Sequence, residues 1–153
     1  MAHSFRSLIA AVAGLAGTVA PASAQIFTVI GNNVEMYLDA SCPSQISCGL
    51  SFPKNTTGKI IEINYISCQI RVIYGGQILY SAIGPSASSA NVQLIKRTFF
   101  DTSRSVSSGT TSITYLSATP GLLLGVDRYL AVTVETTAGF ADMTCAAAGT
   151  LAN

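Results

Sequence analysis

"KIIEINYISCQIRVIYGG", Lys59 to Gly76, carries the pattern that decides the fold. Ile61, Ile63 and Tyr65 share one parity, with Glu62 and Asn64 between them. From Ile66 the parity reverses, so that Ile66, Cys68, Ile70 and Val72 alternate with Ser67, Gln69 and Arg71. Alternation with period two, carried by β-branched and aromatic residues, marks a half-buried strand. A strand that moves its apolar set by one residue needs a bulge or bend at the change. Strands of that kind turn corners in sandwiches. Gly75-Gly76 then reads as a hairpin turn into "QILYSAI", Gln77 to Ile83.

The same rhythm extends in both directions. "IFTVI" (Ile26 to Ile30) and "VEMYLD" (Val34 to Asp39) read as strands flanking the turn "GNN", and a loop holding Cys42 and Cys48 runs on to Gly58. "GPSASSAN" (Gly84 to Asn91) reads as a loop, "VQLIKRTFFD" as a strand, and "TSRSVSSGTTS" as a polar loop or edge hairpin. "ITYLS" is a strand, and "TPG" (Thr119 to Gly121) a turn. In "RYLAVTVETT", Leu130, Val132 and Val134 point inward and Ala131, Thr133 and Glu135 outward. Met143, Cys145 and Ala147 share the inward face of the final strand, "FADMTCAAAGTLA". Short strands separated by turn signals, with no helical stretch after the N-terminus, predict an all-β fold: one antiparallel β-sandwich.

The N-terminus has the form of a secretory signal. Arg6 is followed by the apolar run "LIAAVAGLAGTVA" and by Ala22-Ser23-Ala24, a small-x-small cleavage site. The run of about 13 residues is shorter than the roughly 20 needed to span a bilayer. Residues 1–24 are therefore expected to be a cleaved signal peptide, and residues 25–153 the mature β-sandwich domain, in the periplasm or outside the cell. Cleavage removes His3, the only histidine, and Arg6, leaving seven basic against seven acidic side chains. A neutral chain has no electrostatic attraction for nucleic acid or an anionic membrane. No transmembrane segment is expected in the mature chain.

Cys42, Cys48, Cys68 and Cys145 are an even set in an exported chain, and four cysteines permit three pairings. Two arguments prefer Cys42–Cys48 with Cys68–Cys145. The first two lie in one loop with Pro43 between them, and the second two fall on the inward parity of their strands. In the loop-entropy account the small ring stabilises by about 2–2.5 kcal/mol and the long one by about 4.5 kcal/mol. The long bridge is expected to close the sandwich. Zinc binding, thioredoxin-like exchange and cysteine nucleophilicity all need partners or spacings that the mature chain lacks.

Without histidine, a Ser-His-Asp or Cys-His site of the usual build is excluded. A carboxylate pair could still hydrolyse a glycoside. Glu62, Asp101, Asp127, Glu135 and Asp142 are the candidates, but none sits in a motif and each reads first as a solvated charge. No cofactor or metal site is indicated. An aromatic platform for sugar could draw on Tyr37, Tyr65, Tyr74, Tyr80, Tyr115 and Tyr129. The parities of Tyr65 and Tyr80 assign them to core packing, and Tyr74 beside Gly75-Gly76 to the surface. Asn55-Thr56-Thr57 fits a glycosylation sequon, which matters only in a eukaryotic secretory pathway.

Glu62, Ser67 and Cys68 in the middle strand, with Cys145, Gly149 and Leu151 at the end, resemble a family of small exported proteobacterial proteins. The closing strand departs from that pattern by having Ala and Thr where bulkier or aromatic side chains are usual. The resemblance implies a jelly-roll-like sandwich and assigns no activity or ligand. These readings converge on a non-enzymatic envelope or extracellular interaction or structural module. Carbohydrate or small-ligand binding is the next reading, and a carboxylate-dependent hydrolase the third.

Overall fold

A computed structural model of the chain describes residues 23–43 and 45–152, and every regular element among them is a β-strand. The strands are β1 (Ser23–Ile30), β2 (Asn33–Ser41), β3 (Ser47–Lys54), β4 (Ile61–Ile73), β5 (Ile78–Ser86), β6 (Thr98–Phe99), β7 (Asp101–Ser108), β8 (Thr111–Ala118), β9 (Leu122–Leu124), β10 (Tyr129–Thr136) and β11 (Phe140–Leu151). Of the expected leader, residues 1–22 lie outside the described residues, while Ser23 and Ala24 open β1.

Two antiparallel sheets form. The larger runs β1-β2-β11-β4-β8-β7, with β9 beside one end of β4, and the smaller runs β3-β10-β5-β6. With β1, β7 and β9 set aside, the remaining strands change sheet at every step except β5 to β6, so that the last, β11, lies beside the first, β2, and β10 lies beside β3. That nesting is the jelly roll. Between the sheets lie Leu38, Phe52, Ile61, Ile63, Ile66, Ile70, Ile83, Leu116, Leu130, Val132 and Met143, all buried. Burying each large aliphatic stabilises by about 1.5–3 kcal/mol. The two surface ion pairs, Lys54–Asp127 and Arg71–Asp142, stand in solvent, where water and salt screen them. Apolar burial therefore dominates.

The parity reversal in β4 is a bulge at Asn64. On β11, Ala148 faces Tyr65 and Gly149 faces Ile63, which leaves Asn64 without an opposite residue. β4 also changes neighbour there, pairing β9 through Ile61–Ile63 and β8 through Ile66–Ile73. The bulge brings the Glu62 carbonyl against Gly149, where an added Cβ would sit 2.4 Å from that oxygen. Close approach of backbone is thus the physical reason for glycine at this position. Gly149→Ala is expected to destabilise by about 1–3 kcal/mol in urea unfolding, since the sheet must shift to admit a methyl. A loss below about 0.5 kcal/mol would show that the bulge moves freely along the strand.

Several expectations are corrected. Gly75-Gly76 is not a hairpin turn: β4 and β5 lie in different sheets, and the chain crosses between them with Tyr74 and Gly75 both at positive φ. The loop after Cys42 contains a full strand, β3. Within "VQLIKRTFFD" only Thr98 and Phe99 pair with β5. The segment before them lies over the outer face of the smaller sheet. Val92 meets Gly49, the Lys96 carbonyl lies against Gly84, and Ile95 N–H donates to the Pro85 carbonyl at 2.9 Å. The outer positions beneath it, Gly49, Gly84 and Ala131, are small, so a backbone can rest on them. The same cover explains why Ala131 is buried although its parity points outward.

The cysteines form Cys42–Cys48 and Cys68–Cys145, but their mechanical roles are exchanged. Cys68 and Cys145 stand directly opposite on neighbouring strands of one sheet. The long bridge staples that sheet internally and does not cross the sandwich. The small ring joins the end of β2 in one sheet to β3 in the other, so it is the ring that ties the layers.

Candidate binding face

The bulge decides the fate of Tyr65. Its parity with Ile61 and Ile63 assigned it to the core, but the extra residue at Asn64 turns it to the outer face, where it is 47% exposed. There it stands beside Ala148 of β11, and on the far side of β11 Tyr37 of β2 stands beside Ala146. The two alanines form a low floor between two tyrosine walls. Ile26 and Thr28 of β1, with Glu35 of β2, complete an open groove of about 420 Å³. The two tyrosines stand on strands two spacings apart, about 10 Å, and diagonally, since Tyr65 is level with Glu35 across Ala148 and Tyr37 with Ser67 across Ala146. Every lining residue belongs to a strand of the larger sheet, so the groove is held by the sheet's hydrogen-bond ladder.

A second depression, about 670 Å³, lies between the smaller sheet and the segment crossing it, lined by Tyr80, Arg97, Glu135, Gln93 and Thr133 among others. Tyr80 is half-buried, packs edge-on against Phe99 at 5.6 Å, and has a buried hydroxyl with no hydrogen-bond partner among the described residues. Parity alone gave it a core position, and the crossing segment instead makes it a wall of a surface cleft. Tyr74 is exposed at the crossover, Tyr115 is exposed on β8, and Tyr129 is half-buried at the start of β10.

The five carboxylate candidates are dispersed. Glu135 lies in the depression on the smaller sheet, and Asp142 lines a different one on the larger sheet, where it pairs with Arg71. Asp127 pairs with Lys54 at 2.9 Å and holds that lysine's pKa above its usual value, chiefly through the hydrogen bond between them. Glu62 lies opposite Thr150, and Asp101 begins β7. Asp39, which the sequence reading passed over, accepts from the Thr144 hydroxyl at 3.0 Å and shares the Asp142 depression. Comparison with family models, with characterised proteins and with solved structures finds no match to the chain. Among the described residues no three His, Cys, Asp or Glu side chains gather as a metal site, and no helix is long and apolar enough to cross a membrane.

Asn55 has a structural setting that the sequon did not indicate. It is fully buried, and its amide bridges the β3–β4 loop to the carbonyls of Leu124 and Gly125. A glycan could be attached there only in an unfolded chain.

Proposed function

We propose that this protein is an exported, non-enzymatic binding module whose outer-sheet groove takes a neutral carbohydrate. The observation that carries the reading is the pairing of Tyr65 and Tyr37 across the Ala146–Ala148 floor. A sugar ring has an apolar face of C–H groups and a rim of hydroxyls. Tyrosine rings and alanine methyls suit the face, and the Glu35 carboxylate and Thr28 hydroxyl suit the rim. Glu35 repels anions and no basic side chain lines the groove, so an anionic ligand is disfavoured. The alanines mark the departure from the resembled family, since a bulky residue at either position would fill the groove. The two disulfides suit the periplasm or the extracellular space.

A thermal-shift and calorimetric screen of the oxidised protein against neutral glycans tests this. At least one glycan should raise the melting temperature, and Tyr65→Ala should weaken its binding about tenfold or more, a change of about 1.4 kcal/mol. Tyr74→Ala, at the exposed crossover beyond the end of β4 and outside the groove lining, should leave binding unchanged. Equal binding by the Tyr65 variant would exclude the groove as the site.

A further inference from the structure

We propose that two copies of this chain pair edge to edge through β1, extending the larger sheet across a two-fold axis. The argument begins with the sheet edges. β7 carries Asp101 and Arg104 and is broken by a register shift between Thr102 and Arg104. β3 ends in Pro53-Lys54, and β6 has only two residues. Charge, proline, bulges and shortness are the devices that keep an edge from pairing with another chain. β1 has none of them. It is "SAQIFTVI", without a charged side chain or proline and with six residues left once 1–24 are removed. It pairs with β2 without a shift and has no strand in the ladder on its other side among the described residues. The Gln25 side chain, outside the proposed register, donates to the Ser51 carbonyl of β3 at 2.9 Å.

The side chains at this edge are the ones a strand would cover. Ile26 and Ile30 on the outer face are 56% and 66% exposed, and Val29 on the inner face is 41% exposed. The two-residue turn at Gly31-Asn32 closes on the Ile30–Asn33 pair. Alternation from that pair turns the backbone N–H and C=O of Gln25, Phe27 and Val29 away from β2.

These features select a second copy as the partner. In an antiparallel pairing centred on Thr28, Ile26 of one copy meets Ile30 of the other on the outer face. Phe27 meets Val29 on the inner face, and Thr28 meets itself on the axis. Every large apolar side chain then faces another, no charge is brought opposite a like charge, and the outward backbone groups of Phe27 and Val29 satisfy each other. The register uses only residues 26–30, so removal of residues 1–24 leaves it intact. Ile26 and Thr28 also line the groove, so the seam runs along its edge, but the pairing does not require a ligand there.

Sedimentation of the purified, disulfide-intact exported chain over a range of concentrations should show a reversible dimer. Ile30→Lys, which puts an ammonium against an isoleucine and adds charge to the edge, should weaken it about tenfold or more. Thr28→Cys tests the register without relying on that variant. On mild oxidation it should form a covalent dimer, because its two copies stand directly opposite, as Cys68 and Cys145 do within the chain. Val106→Cys, at an exposed position on the opposite edge strand β7, should not. A chain monomeric at every concentration would overturn the proposal, as would a dimer indifferent to Ile30→Lys. Crosslinking of the Thr28 variant no faster than that of the Val106 variant would overturn the register.

Discussion

Replacing Asn55 with alanine is expected to lower the free energy of unfolding by about 3–5 kcal/mol, far more than a polar loop residue usually contributes. The side chain is fully buried and every polar atom on it is used. Its Nδ2 donates to the carbonyls of Lys59 at 2.8 Å, Gly125 at 3.1 Å and Leu124 at 3.3 Å. Its Oδ1 accepts from the Thr57 N–H at 3.1 Å and the Thr57 hydroxyl at 2.7 Å. Its main chain adds two further ties, donating to the Arg128 carbonyl at 2.9 Å and accepting from the Asp127 N–H at 3.0 Å. One residue thereby fastens the β3–β4 loop to the β9–β10 loop. Alanine leaves the Leu124 and Gly125 carbonyls and the Thr57 N–H without this partner, each at about 1–3 kcal/mol if water cannot reach it, while the Thr57 hydroxyl can still donate to the Lys59 carbonyl at 3.1 Å. Asn55→Asp should be at least as damaging, because a carboxylate turned toward three carbonyl oxygens cannot donate to them. Equilibrium urea unfolding of the oxidised protein measures both. A loss under about 1 kcal/mol in each variant would show that the main-chain bonds alone hold the two loops together.

Removing the Cys68–Cys145 bridge by a double alanine substitution is expected to cost about 4.5 kcal/mol on loop-entropy grounds, from its sequence separation of 77. The Cys42–Cys48 ring, with a separation of 6, is expected to cost about 2–2.5 kcal/mol. The comparison is informative because geometry and entropy rank the two bridges differently. The long bridge connects strands already joined by a full hydrogen-bond ladder, whereas the short ring ties the two sheets together. If chain entropy governs, the long bridge should matter more, and its loss should lower the melting temperature by about 15 °C or more. A larger effect from the short ring would show that the inter-sheet tie outweighs the entropic term. Thiol titration of the denatured, unreduced wild type should find essentially none, since all four cysteines are paired.

Local pattern made particular features of this chain legible. The reversal at Tyr65–Ile66 required a bulge, and there is one at Asn64. Inward parity at Cys68 and Cys145 placed both in the interior, and both are buried. What failed were readings that assumed the neighbour in sequence is the neighbour in space. Gly75-Gly76 resembles a hairpin because two glycines between alternating segments usually make one, yet in a jelly roll successive strands often change sheet. Tyr65 looked like core because parity was counted through the residue at which the bulge resets it. Ala131 looked exposed because alternation cannot register a segment that returns from elsewhere to cover it. The buried amide of Asn55 gave no local signal beyond a sequon, because its carbonyl partners at Leu124 and Gly125 are about seventy residues away.

By itself the sequence determined the β class, the positions of most strands and the need for a bend in β4, because side-chain alternation and turn chemistry act over a few residues. It also placed the one histidine, His3, within the expected leader. Only the tertiary structure decided which strands are partners, which disulfide spans the sheets, and that Tyr65 and Tyr37 stand diagonally on either side of two alanines. Those depend on contacts between distant segments. A displacement of one residue at Asn64 is enough to move a tyrosine from the core to the candidate binding face.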